Sequence, residues 1–135
     1  MAPRVCSFSR LPGHYAIVRL APDASVPASV LEASGFASVT RTADELSIVC
    51  DEALTPAGAT AECGWEVLKL HGPFTFDQIG VLASCVTPLV AHGVSVFTIS
   101  TFDTDYLLIK AHQTDAAVAA LQAAGHTLEN GSGGR

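Results

Sequence analysis

The chain has 135 residues, 49% of them hydrophobic and 15% charged, with a net charge of −6. A chain of this length can bury roughly two-thirds of its unfolded surface, so it needs no disulfide or metal to fold; its apolar content excludes a disordered polymer, and no run of about 18 apolar residues offers a membrane span. Seven basic residues against thirteen acidic ones leave no cationic stripe to displace counterions from a phosphate backbone, which argues against nucleic acid as a partner.

Met1 to Pro12 mixes Pro, Ser and Arg without periodicity and reads as a flexible arm. The start Met-Ala-Pro-Arg-Val has no apolar targeting core, so a cytoplasmic protein is expected. Tyr15 to Leu20 has the composition of a strand, and Pro22, Asp23 and Pro27 mark a turn into a short helix through Ser34 that Gly35 should end. Phe36 to Thr42 and Leu46 to Cys50 are strand-like runs separated by Ala43-Asp44-Glu45, a suitable length for a hairpin loop. Residues 13–62 thus read as βαββ followed by an acidic linker from Asp51 to Cys63. Such a unit, lacking a last helix and strand, would leave apolar surface needing a cover.

From residue 63 the pattern is fuller. Glu66 to Leu70 is strand-length, and Phe76 to Gly93 carries Val81, Leu82, Cys85, Val86, Leu89 and Val90 at helical spacing. Val94 to Ile109 is rich in β-branched and aromatic residues, interrupted only at Phe102-Asp103-Thr104-Asp105, and reads as a hairpin. A second helix follows from Asp115 to Ala124, with Thr114 as its expected N-cap and Gly125 as its end, and His126 to Leu128 gives a short last strand. The order βαββαβ predicts a ferredoxin-like α+β domain over residues 63–129, with two helices on one face of a four-stranded antiparallel sheet. Residues 130–135 have nothing to bury and are expected to be a disordered tail.

Gly64-Trp65, Gly72-Pro73-Phe74, Phe76-Asp77, Gly80-Val81-Leu82-Ala83, Pro88-Leu89, Gly93-Val94-Ser95 and Ile99-Ser-Thr-Phe-Asp-Thr-Asp-Tyr106 together resemble the ACT domain proteins, in particular the branch of the animal arginine sensors. The resemblance covers roughly half the chain, and Ile99-Ser-Thr-Phe-x-x-Asp is its most specific run. It implies tandem ACT domains, the N-terminal one incomplete, that bind an amino acid or similar small metabolite where the loop after the first strand of one unit meets an edge of its neighbour. It also implies that Gly80, Thr101, Phe102 and Asp105 belong to the ligand pocket. Thr104 departs from the sensors, which carry an aromatic residue there.

Holding a zwitterion needs backbone N–H groups at a helix start for the carboxylate and an acidic or carbonyl group for the ammonium. The helix start at Asp77 to Leu82 supplies the first, with Gly80, Val81 and Leu82 presenting backbone to the ligand. Thr101, Phe102, Thr104 and Asp105 supply the opposite wall, with Asp105 taking the ammonium. Each has a plainer alternative. Gly80 could serve only a tight helix entry, Asp77 could be an N-cap, and hairpin-turn chemistry is the alternative for Asp103 and Asp105, accepted here for Asp103.

Four cysteines at 6, 50, 63 and 85 show no Cys-x-x-Cys spacing and read as reduced thiols, Cys85 on a buried stripe. The histidines at 14, 71, 92, 112 and 126 fall mostly at element ends without metal-ligand spacing, and solvated or capping roles are expected. No nucleophile elbow, phosphate loop or dinucleotide fingerprint is present. The expected function is a non-catalytic regulatory sensor without metal or cofactor, working as a homodimer or on a regulatory protein partner. The alternative is a ligand-free assembly module on the same scaffold.

Overall fold

The computed structural model describes residues 5–71 and 80–129. The chain divides into two compact units, one of residues 13–65 and one of residues 1–12 together with 66–135. Gly72 to Asp77 and the tail at 130–135 lie outside the described residues, as does the beginning of the expected arm.

In the unit of residues 13–65, β2 (Tyr15–Leu20), β3 (Ser38–Arg41) and β4 (Leu46–Asp51) form antiparallel pairs around α1 (Ala28–Leu31), β1 being the strand Ser7–Arg10 of the other unit. The helix is a single turn, shorter than its pattern predicted and ending well before Gly35. In the β3–β4 loop the Thr42 hydroxyl accepts from the backbone N–H groups of Asp44 and Glu45, 3.1 and 3.2 Å away, closing the hairpin where the sequence placed it.

The linker reading of 51–63 is corrected. Asp51 caps a 3-10 turn (Glu52–Leu54) by accepting from the Ala53 N–H at 2.9 Å, and the chain then enters β5 (Thr60–Leu70). The first half of β5 pairs antiparallel with β2, giving the order β3-β4-β2-β5. The last strand of this unit is therefore present, and one 3-10 turn stands where a second helix was missed. Two features hid it: an Ala/Thr/Gly composition with little apolar alternation, and a bulge that places Gly64 at φ +84°. The Glu52 carboxylate accepts the Gly64 N–H and holds the bulge against the 3-10 turn. Alternate residues Ala16, Val18, Leu46, Ile48 and Cys50 bury one sheet face beneath Val30, with Leu54 and Ala61 packed at its margin.

In the other unit, α2 (Val81–Ala91), β6 (Val96–Ser100), β7 (Asp105–Lys110), α3 (Thr114–Ala123) and β8 (Thr127–Leu128) follow the predicted order. Phe8, Leu68, Leu70, Leu107 and Ile109 present one sheet face to Cys85 and Leu89 of α2 and Ala117, Ala120 and Leu121 of α3. The flexible-arm reading fails at β1, which pairs antiparallel with the end of β5 and parallel with β8. The sheet order in this unit is β8-β1-β5-β7-β6, so β1 occupies a place between β5 and the last strand that a plain βαββαβ unit lacks. Phe8 is fully buried, and Arg10, two residues on and on the same face, reaches the buried Glu66 at 2.7 Å and the exposed Asp115 at 3.0 Å. Thr114 is not the N-cap of α3. Gln113 takes the capping position without a side-chain bond, and the Thr114 hydroxyl donates to the Lys110 carbonyl at 3.3 Å. Among the described residues no helix is long and apolar enough to cross a membrane.

Candidate functional site

Gly80 precedes α2 at φ +87°, a left-handed backbone that glycine adopts without penalty. No side chain caps the helix among the described residues, and its first turn holds no acidic residue. The N-terminal amides and the positive end of the helix therefore favour an anion. Gly80 is exposed, and among the described residues a Cβ built on it would meet nothing within 4 Å. Val81 is buried in contrast, and Leu82 is half-buried against the core.

Strands β6 and β7 are joined by a four-residue loop in register from Ser100 and Asp105. The Thr101 N–H donates to the Thr104 carbonyl at 2.8 Å, and the Thr101 hydroxyl adds a second bond to that oxygen at 3.1 Å. Phe102 at the tip is 78% exposed. Thr104 is buried, and its hydroxyl donates to the carbonyl of Leu70. That bond explains why a short hydroxyl residue fits here, and it ties the start of β7 to the end of β5, from which the chain runs on toward α2. Asp105 is half-buried and accepts from the Ser100 hydroxyl across the strand pair. The hydrogen bond with Cys6 and burial chiefly raise the Cys85 thiol, and the negative charge of Asp105 adds to them. Gly80, Val81 and Leu82 thus lie on one element, and Thr101, Phe102, Thr104 and Asp105 on a second that is anchored to the strand leading into the first.

Two further groupings were not foreseen. Within unit 13–65, a cavity of about 300 Å³ is lined by Tyr15, Ser34, Gly35, Phe36, Asp51 and Leu54, with the Tyr15 and Phe36 rings edge-to-face at 6.0 Å. Burial, then the charge of Asp51, raises the Tyr15 phenol. In the other unit, Cys6, Cys85 and His126 come together. His126 is buried, which corrects the expectation of a solvated or capping histidine, whereas exposed His92 does cap α2, its Nδ1 lying 2.8 Å from the Pro88 carbonyl. All four cysteines are free, and Cys85 is buried as its helical stripe predicted.

Residues 60–123 match the sequence model of the ACT domain, and residues 13–57 match a family model for an N-terminal domain. The crystal structure of protein Atu0741 from Agrobacterium tumefaciens is 38% identical, with 93% of each chain covered and a TM-score of 0.87. Residues 60–123 belong to the ACT domain family. This ACT protein is also 34% identical over 59 residues to the rat protein named cytosolic arginine sensor for mTORC1 subunit 1, and 32% identical to the human one. That match covers 43% of the chain but only 18% of the sensor's length. The regulatory subunit of aspartate kinase from Thermus thermophilus shares the fold at a TM-score of 0.64 and 16% identity, with 90% of this chain and 99% of that one covered.

Proposed function

We propose that this ACT protein is a non-catalytic regulatory module that binds a free amino acid or a similar small metabolite between the mouth of α2 and the β6–β7 turn. The observation that carries the reading is the Thr104–Leu70 hydrogen bond, which fastens the acid-bearing turn to the strand that leads into α2. In this reading the Gly80, Val81 and Leu82 backbone receives the ligand carboxylate, Asp105 takes the ammonium, and Thr101, Phe102 and Thr104 shape the wall. The name of the arginine sensor supports a ligand of this class. Residues 13–65 would form a second ACT-like unit, supported by the strand order β3-β4-β2-β5. Binding would act by shifting an equilibrium between conformations that dock differently.

A thermal-shift screen of the twenty amino acids tests the proposal, because a ligand at 100 times its dissociation constant adds about 2.7 kcal/mol of stability. One or a few amino acids should raise the melting temperature. A flat response throughout would favour the second reading, a ligand-free assembly module, for which the exposed Phe102 and Val90 are the supporting feature.

A further inference from the structure

The sulphur atoms of Cys6 and Cys85 stand 3.6 Å apart, and His126 lies against both, Nδ1 3.7 Å from Cys6 Sγ and Nε2 3.8 Å from Cys85 Sγ. Both ring nitrogens are already engaged by backbone. The Cys6 N–H donates to Nδ1 at 3.1 Å, and Nε2 donates to the Ser84 carbonyl at 2.8 Å. That carbonyl is available because the residue four positions on is Pro88, which has no N–H to return to it. With the imidazole fixed at both nitrogens, a metal ion could bind there only by displacing a backbone partner. The two sulphurs, in contrast, already touch.

We propose that Cys6 and Cys85 form an oxidisable dithiol, a modification site for hydroperoxides in which Cys6 attacks and Cys85 resolves. Cys6 is half-buried just ahead of β1 and within reach of a small oxidant, whereas Cys85 is fully buried. The hydrogen bond from Cys85 holds the Cys6 thiol down to about 6, opposed by burial. The same hydrogen bond, with burial and the charges of Cys6 and Asp105, pushes Cys85 up, so it keeps its proton as the donor.

In the first step the Cys6 thiolate attacks one peroxide oxygen, the O–O bond breaks, and the departing hydroxide takes a proton to become water. Cys6 is then a sulfenic acid. Cys85 gives up its proton and attacks that sulphur, the S–S bond forms, the S–O bond breaks, and a second water leaves. Two thiols and one hydrogen peroxide become a disulfide and two waters, with sulphur oxidised and peroxide oxygen reduced. Side-chain rotation must close the sulphurs to about 2.05 Å. The product would fasten the chain ahead of β1 to α2.

The test is peptide mapping of the full chain after hydrogen peroxide treatment in the native state and alkylation in denaturant. The expected product is an intramolecular Cys6–Cys85 bridge, and Cys6 alkylation of untreated protein should slow about tenfold between pH 7 and pH 5. Cys85→Ser should leave Cys6 as a sulfenic acid trapped by dimedone, and Cys6→Ser should protect Cys85. The proposal is overturned if Cys6 and Cys85 both remain alkylatable while Cys50 or Cys63 is oxidised, if the bridge is intermolecular, or if Cys85 is oxidised equally fast in Cys6→Ser. None of these readouts depends on an amino-acid ligand.

Discussion

At Asp105 one carboxylate serves two descriptions. It accepts from Ser100 within the hairpin, and it is the proposed partner of a ligand ammonium. Exchanging it for Asn keeps the shape and removes the charge. A charge-assisted hydrogen bond contributes about 1.5–3 kcal/mol, so Asp105→Asn should weaken binding of an amino acid identified by the screen by roughly 10- to 100-fold. Isothermal titration calorimetry measures this, and unchanged affinity would remove Asp105 from the site. Arg10 poses a different question, because its guanidinium neutralises a carboxylate that is 9% exposed while lying partly in solvent itself. Arg10→Met should lower the unfolding free energy by roughly 1–2 kcal/mol, with solvent screening holding it below the value for a sealed pair. Urea denaturation reads this as a lower midpoint, and no change would mean that water solvates Glu66 instead. At this scale the sequence singled out Gly80 and Asp105 as candidates through local motifs and a family resemblance. It did not reveal the Arg10–Glu66 pair or the Cys6–Cys85–His126 group, whose members are far apart in the chain and carry no spacing that marks them.

Among the elements, helices and hairpins with a sustained period were legible, and short strands were not. The apolar recurrence over Val81–Ala91 and the β-branched run of Val96–Lys110 each carry enough residues to show their period. Ser7–Arg10 has one large apolar residue between two serines, so nothing in its composition separates a four-residue strand from a loose arm. Its burial is set by partners at both edges, β5 and β8, which only the tertiary fold brings up. The same holds for Thr60–Trp65, where a bulge and small side chains break the alternation. Phe8→Ala measures what the missed strand is worth. Emptying a fully buried aromatic position costs about 3–5 kcal/mol, so the thermal and urea midpoints should fall together, whereas a frayed arm would leave both unchanged.

For the molecule as a whole, each unit has its own apolar core, and the chain carries a net charge of −6. A field of that sign attracts cationic solutes and is screened beyond about 8 Å at physiological ionic strength. If a cationic amino acid is among the ligands, its affinity should decline as salt is raised from 50 to 500 mM, while a ligand with an uncharged side chain should hold its affinity over the same range. Calorimetry at the two salt concentrations separates them, and equal salt dependence would mean that the long-range field plays no part. An imino acid past the second turn of a helix ordinarily counts as a blemish in the ladder. At Pro88 the gap it leaves is answered from another part of the chain, by a ring whose hydrogen is thereby parked on one nitrogen and kept off the other. A defect in backbone continuity thus chooses the isomer of a distant heterocycle.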